Sequence, residues 1–522
     1  MTVPRTRRSL LADVGRMALF LSLGEQAAAV LGERLACAKE EPGPLGFGGL
    51  EALVALMQET PAERVLPALV ERLRGGTELR TLLAAGALAN ARTFGGEDYV
   101  GFHTLMALAP AWHMALALPE PRRALPVLKV LYRNTSRMQE VGGRTAEVLH
   151  PVRGTTLPEG RDADDVLRDA VRAKDVETAE RTFAVLARGS AEEALGHVLP
   201  TVQDGAEVHR VVLPMRAWEL VGLIGAEHAH TLLRQSVRYC VKSEKSSPGA
   251  RSSGIREILP RLLEAHHLLG RAPGARAADD AWIEAMSRTL FESTPEQAAA
   301  TAASALAEGF APADLGEATS LAANQLLLRD AGRTEREVRP GKPLGSVHGD
   351  SIGLHACDSS AAWRNLARVG TPRNIFACAI AGAYQVALDR TARGGDFLHW
   401  SPRPEPEDLA RVAGEDPDAL LREADAAIQA QDQARASAVV QRYGLLGLAP
   451  QRLLDLLLRY AVSEDGALQA EKYFRTATEE FAAARPAFRW RHLVALARVT
   501  ASEFGQRAAG HDEACRLLGV ER

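Results

Sequence analysis

The 522-residue chain is short of aromatic residues, at 5%, and of cysteine, with five in all. Cys37, Cys240, Cys357, Cys378 and Cys515 include no CxxC pair, and their wide spacing argues against both a disulfide framework and a zinc knuckle. The expected role of a free cysteine is then that of a small core residue. An excess of one charge sign is also missing: 62 basic and 66 acidic side chains give a formal net charge of -4, mixed along the chain. Without a polybasic block or a basic stripe interleaved with aromatics, nucleic acid is not an expected partner. Beyond the N-terminal segment, no apolar run approaches the ~18 residues of a transmembrane helix, so no membrane span is expected. Three catalytic signatures are absent as well, the Walker phosphate loop, HExxH and the strand-borne Rossmann glycine fingerprint, and the one GxSxG spelling, Gly349-Asp350-Ser351-Ile352-Gly353, follows no β-branched run that could be the strand of a nucleophile elbow. Serine hydrolase, kinase, zincin and NAD-dependent dehydrogenase are thereby set aside.

What the chain does have is helical periodicity. Leucine and alanine recur at three- and four-residue steps in "TPAERVLPALVERLRGGTELRTLLAAGALANA" and "DLLLRYAVSEDGALQAEKYFRTATEEFAAA", and no alternating β-branched run is bounded by turn signals. The fold predicted is all-α, a multi-helix array of stacked antiparallel helices. Thr60-Pro61-Ala62-Glu63 reads as a cap, a first-turn proline and a third-position glutamate. Stretches rich in Pro, Gly, Ser and charge at 150–165, 242–254, 333–345 and 393–408 read as loops. They suggest three helical regions, 39–150, 151–344 and 345–522, after an N-terminal segment, 1–38. That segment, with Arg7-Arg8, an apolar stretch and Ala36-Cys37-Ala38, has two readings. One is a twin-arginine-type export signal; the other is an amphipathic first helix of a cytoplasmic protein, since Glu25, Gln26, Glu33 and Arg34 interrupt the apolar part.

The chemistry-bearing residues are concentrated in a few places. "GSVHGDSIGLHACDSSAAWRNL" contains His348, Asp350, His355, Cys357 and Asp358. On a single helix, His348 and His355 would share a face about 10 Å apart, too far to chelate one ion directly. In "GGEDYVGFHTLMALAPAWH", His103 and His113 are about 15 Å apart on an ideal helix that Pro110 is expected to interrupt. "KVLYRNTSR" adds Lys129, Tyr132, Arg133 and Asn134, a polar group suited to binding an anion or capping a helix. His209 heads the apolar run "EVHRVVLPMRAWELVG" and is a further cavity candidate. Glu-x-x-His, the spacing that di-iron bundles use to aim two ligands from one helix face, occurs as Glu147-His150, Glu227-His230 and Glu264-His267. The His150 copy abuts Pro151. A metal reading therefore draws on His209, Glu227, His230, Glu264 and His267, with iron or another transition metal as the ion.

"VHGDSIGLHACDSSAAWRNLARVGTPRNIFACAIAGAYQVAL" and "GFHTLMALAPAWHMAL" resemble the histidine-led helices of the questin oxidase-like family, over roughly a third of the chain. The resemblance implies an all-helical protein around a polar, histidine-lined cavity, and an oxygen insertion of Baeyer–Villiger type into an aromatic polyketide. It would make His103, His348 and His355 cavity residues acting as base, peroxide-orienting group or metal holder, with Asp350 or Asp358 setting a tautomer. The expectation is an oxidoreductase acting on an organic small molecule, metal-dependent or cofactor-independent. The alternative is a HEAT-like helical-repeat scaffold without catalysis, whose histidines are structural.

Overall fold

The leucine- and alanine-rich periodicity folds as predicted. The computed structural model describes residues 45–246, 254–391 and 396–521, so the twin-arginine-like segment lies outside the described residues. From Gly46 on, they form one unit. Among them are 23 α-helices and no strand, only three isolated bridges. The first region carries α1 (Glu51–Glu59), α2 (Ala62–Arg74), α3 (Leu79–Phe94), α4 (Tyr99–Ala117) and α5 (Leu125–Glu140). Then come α6 (Ala163–Arg172), α7 (Val176–Leu186), α8 (Ala191–Val202), α9 (Val208–Ile224), α10 (Ala229–Lys245) and α11 (Ile255–Ala265). The chain continues through α12 (Asp280–Glu292), α13 (Pro295–Ala307), α14 (Pro312–Arg329), α15 (Ile352–Leu366), α16 (Pro372–Thr391) and α17 (Pro406–Ala410). It ends with α18 (Pro417–Gln429), α19 (Gln433–Leu445), α20 (Gln451–Ser463), α21 (Ala470–Ala483), α22 (Trp490–Glu503) and α23 (His511–Leu518). No described helix is long and apolar enough to cross a membrane.

Local chemistry explains several boundaries. Ser190 and Glu193 close a capping box at α8, and Thr294 with Gln297 closes another at α13 behind Pro295. The predicted cap at Thr60 does not form. Its backbone N–H is used at the end of α1, on the Leu56 carbonyl, and α2 starts after Pro61 without a side-chain cap. Pro110 does not break α4 either; the helix runs through it, buried on almost every face. A helix that is apolar all round belongs in an interior, and α4 is enclosed by α3, α5, α9 and α21. At Gly353, α15 comes so close to α14 that a Cβ would stand 2.5 Å from the Leu327 backbone. Four central helices from all three sequence regions close a ring of contacts: α4 on α9, α9 on α15, α15 on α21 and α21 on α4. Cys240, Cys357 and Cys378 are buried and free, and Cys515 is buried.

Candidate functional site

The ring of four helices brings together three histidines and a lysine. His103 lies one turn into α4, its Nδ1 donating to the Tyr99 carbonyl at 2.8 Å. His209 lies in the first turn of α9 because Glu207 caps that helix, accepting from the backbone N–H of His209 and Arg210. The same carboxylate takes the His209 ring Nδ1 at 2.8 Å and the Tyr239 hydroxyl at 3.0 Å. Those donors outweigh the cost of burial and hold Glu207 down to about 2. With both outer nitrogens donating, the inner ones meet: His209 Nε2 stands 3.3 Å from His103 Nε2. Two neutral rings would then oppose lone pair to lone pair, so this geometry needs a proton or a cation between them. His355, from α15, completes the group, its ring centroid 5.6 Å from that of His209 and its Nε2 accepting from Gln469 Nε2 at 3.1 Å. Tyr99, Phe102 and Tyr239 pack around these rings.

Electrostatics set this group apart. Burial, reinforced by nearby Lys472, pushes His103 well below the usual imidazole range, and burial with His209 lowers His355 to about 3. Lys472 itself, on α21 and 1% exposed, is lowered by burial to about 7 even though Asp358 opposes the shift. Among the described residues its amine has no hydrogen-bond or ion-pair partner. Asp358 is raised by burial and accepts from Thr476 Oγ1 at 2.8 Å.

Nearby on α4, α9 and α21 lies a layer of paired charges. Arg216 reaches Glu219 at 2.7 Å and Thr476 Oγ1 at 3.3 Å, while His113 Nε2 and Arg475 approach Glu219 at 3.2 and 3.4 Å. Through Thr476 and Asp358 this layer touches the histidine layer. His113 and Arg475 also line a cavity of about 240 Å³ with Met114 and Phe474. None of His103, His209 and His355 lines that cavity.

The expected residues divide into those that converge and those that do not. His103, His209 and His355 meet; His348 stays outside. It does not share a helix with His355, because Gly349 (φ +70°) turns the chain and Ser351 caps α15 at Ile352. Both His348 nitrogens are taken, by Ser502 Oγ and the Gly341 carbonyl, each at 2.7 Å. Burial lowers it to about 4. Asp350 binds Arg333 and Lys342 rather than a histidine ring, although its charge reaches Tyr99 and His355. Lys129, Arg133 and Asn134 bind within the protein, to Glu471, Asp465 and Asn90 respectively.

The Glu-x-x-His pairs do not assemble. Glu147 pairs with buried Arg92, and His150 is exposed. Glu227 lies in an exposed 3-10 turn before α10, whereas His230 stacks on Phe183. Glu264 ends α11 on its exposed side, and His267 follows in a left-handed conformation (φ +53°), facing solvent. Among the described residues no group of three or more His, Cys, Asp or Glu is arranged to hold a metal ion. The His103–His209 pair matches a metal site in its spacing: two imidazole nitrogens on one tetrahedral ion at ~2.0–2.1 Å stand about 3.3–3.4 Å apart. Their outer nitrogens are anchored on a carbonyl and a carboxylate, as metal-bound histidines usually are.

Sequence reasoning missed Lys472 and Glu207. Glu207 had a signal, an acidic residue at the head of "EVHRVV". Lys472, between Glu471 and Tyr473 in a charged stretch, had none. Compared with models of known families, with curated proteins and with solved structures, the chain matches none of them.

Proposed function

We propose that this protein is a questin oxidase-like oxidoreductase acting on an organic small molecule at the centre formed by His103, His209 and His355. The observation that carries the reading is the opposed pair of Nε2 atoms on His103 and His209, 3.3 Å apart with both outer nitrogens anchored. A structural histidine spends its ring on a partner that satisfies it, as His348 does; this pair leaves two acceptors facing each other. Tyr99, Phe102 and Tyr239, which pack on these rings, are the side chains that an aromatic substrate would stack against.

His103 and His355, kept neutral by burial, accept a hydrogen bond from an acidic phenol and orient it. The Lys472 amine, close to neutrality, is the group able to take or return a proton. A first-row metal, if used, would be held by His103 and His209 through Nε2 and would supply activation of dioxygen. The cofactor-independent version uses the same rings for orientation and Lys472 for proton transfer.

The test combines elemental analysis by inductively coupled plasma mass spectrometry with oxygen uptake in the presence of a hydroxylated aromatic polyketide. Wild type is compared with His103→Ala and His209→Ala. Oxygen uptake lost in both variants is the expected result. Near-stoichiometric metal that disappears in the variants selects the metal-dependent version, and uptake without metal selects the other. A protein with neither metal nor uptake across a panel of such substrates overturns the reading in favour of the helical-repeat scaffold.

A further inference from the structure

Below the turn that joins α20 to α21 lies a buried group of acids that the proposed chemistry does not use. Glu464, Glu471 and Glu503 are 3%, 3% and 4% exposed, and Asp465 is beside them. The nearby cations can be assigned one by one. Lys129 pairs with Glu471 at 2.7 Å, Arg507 with Glu464 at 3.4 Å, and Arg133 with Asp465. That leaves Glu503, which forms no ion pair among the described residues and whose Oε1 has no hydrogen-bond partner. An unpaired carboxylate in such a place would be costly, and a proton is the remaining way to neutralise it.

The turn over Glu503 is itself held in an unfavourable shape. Gly466 has φ +54° and lies so close that a Cβ would stand 2.6 Å from Glu503 Oε1. Ala467 (φ 50°) and Leu468 (φ 73°) are both left-handed, which L-residues adopt only where their surroundings impose it. The next residue, Gln469, donates to His355 Nε2. A strained turn thus has Glu503 under one end and the histidine centre at the other.

We propose that Glu503 is a positioning residue for His355: with its proton it lets the Gly466–Gln469 turn close and hold Gln469 on His355 Nε2, and losing that proton opens the turn and frees the imidazole. Burial, with Glu471, Asp465 and Glu464 adding repulsion against the single attraction of Lys129, raises Glu503 to about 8. Two further titratable groups face this region. The Tyr473 hydroxyl is raised by burial, and His511 is kept neutral by burial together with Arg507. Neither supplies a charge that could replace the proton.

The sign of the pH effect follows. In the open turn Glu503 titrates near the ordinary value of about 4.3, and in the closed turn near 8. The closed form therefore binds more protons between those limits, and opening becomes easier by about tenfold for each pH unit up to roughly 8, then levels off.

Hydrogen exchange with mass spectrometry reads this directly. The amides of Leu468 and Gln469 bond to the Asp465 and Gly466 carbonyls at 3.2 and 3.0 Å and are exposed when the turn opens. After correction for intrinsic rates, and relative to a peptide from the α14 core, the wild-type peptide spanning 465–470 is expected to exchange about tenfold faster at pH 7 than at pH 6. Glu503→Gln, which mimics the protonated acid, is expected to abolish that dependence. A flat wild-type profile would overturn the proposal even if the variant failed to fold, and so would a folded Glu503→Gln variant that keeps the wild-type slope. The readout is local opening rather than turnover, so it stands apart from the proposed oxidation.

Discussion

Two polar layers share three helices, α4, α9 and α21, with α15 adding His355 to one of them, and they solve burial in opposite ways. In one, Arg216 and Arg475 are matched against Glu219 and Glu479, with His113 hydrogen-bonded to Glu219. In the other, His103, His209, His355 and Lys472 have no anion among them except through Glu207 and the more distant Asp358, and burial drives His103, His355 and Lys472 toward neutrality instead. The difference teaches that buried polarity in this fold is not of one kind. A matched layer specifies how helices pack, because any partner removed leaves a buried charge. An unmatched layer costs stability, and groups of perturbed protonation gathered in one place are what chemistry uses.

The largest effect should come from breaking the matched layer. Glu219→Ala leaves the Arg216 guanidinium, 1% exposed, without its carboxylate, and should cost about 3–5 kcal/mol in chemical denaturation. The unmatched layer should respond the other way. Lys472→Met removes a buried amine whose proton the unfolded chain keeps up to about 10.5 and the folded protein releases near 7. Between those values the unfolded chain binds more protons, so wild-type stability rises with pH. The variant should therefore exceed wild type at pH 7 by an amount on the order of a few kcal/mol, and the gap should narrow by pH 9.5. Equal gaps at both pH values would show that the lysine is not desolvated.

His348→Ala sharpens the contrast between kinds of histidine. It removes two satisfied hydrogen bonds, to Ser502 and Gly341, and should cost about 1–3 kcal/mol while leaving any metal content untouched. The smallest effect is expected at the rim of the matched layer. His113, 29% exposed beside Glu219, should cost no more than about 1 kcal/mol when changed to alanine, read as a shift in denaturation midpoint.

Much of the architecture was legible beforehand. Helices follow from the spacing of leucine and alanine, and His103, His209 and His355 could each be recognised as a histidine in or heading an apolar helix. The linear chain misled where local rules compete. His348 and His355 looked like neighbours on one face, although Gly349-Asp350-Ser351 already spelled a turn and a cap. Thr60 looked like a cap, but the preceding helix used its backbone first. The three Glu-x-x-His spacings were real in sequence and empty in space, because two of them fall at or beyond helix ends.

By itself, then, the sequence determined the helical class and which side chains were available for chemistry. Only the tertiary structure decided which of them meet. His103 and His209 are 106 positions apart, and Lys472 is further still; no local spacing encodes a contact made by packing α4 on α9 and α21. Burial, too, belongs to the assembled protein: the lysine among Glu471 and Arg475 that reads as a solvated side chain loses its water only when four helices close around it.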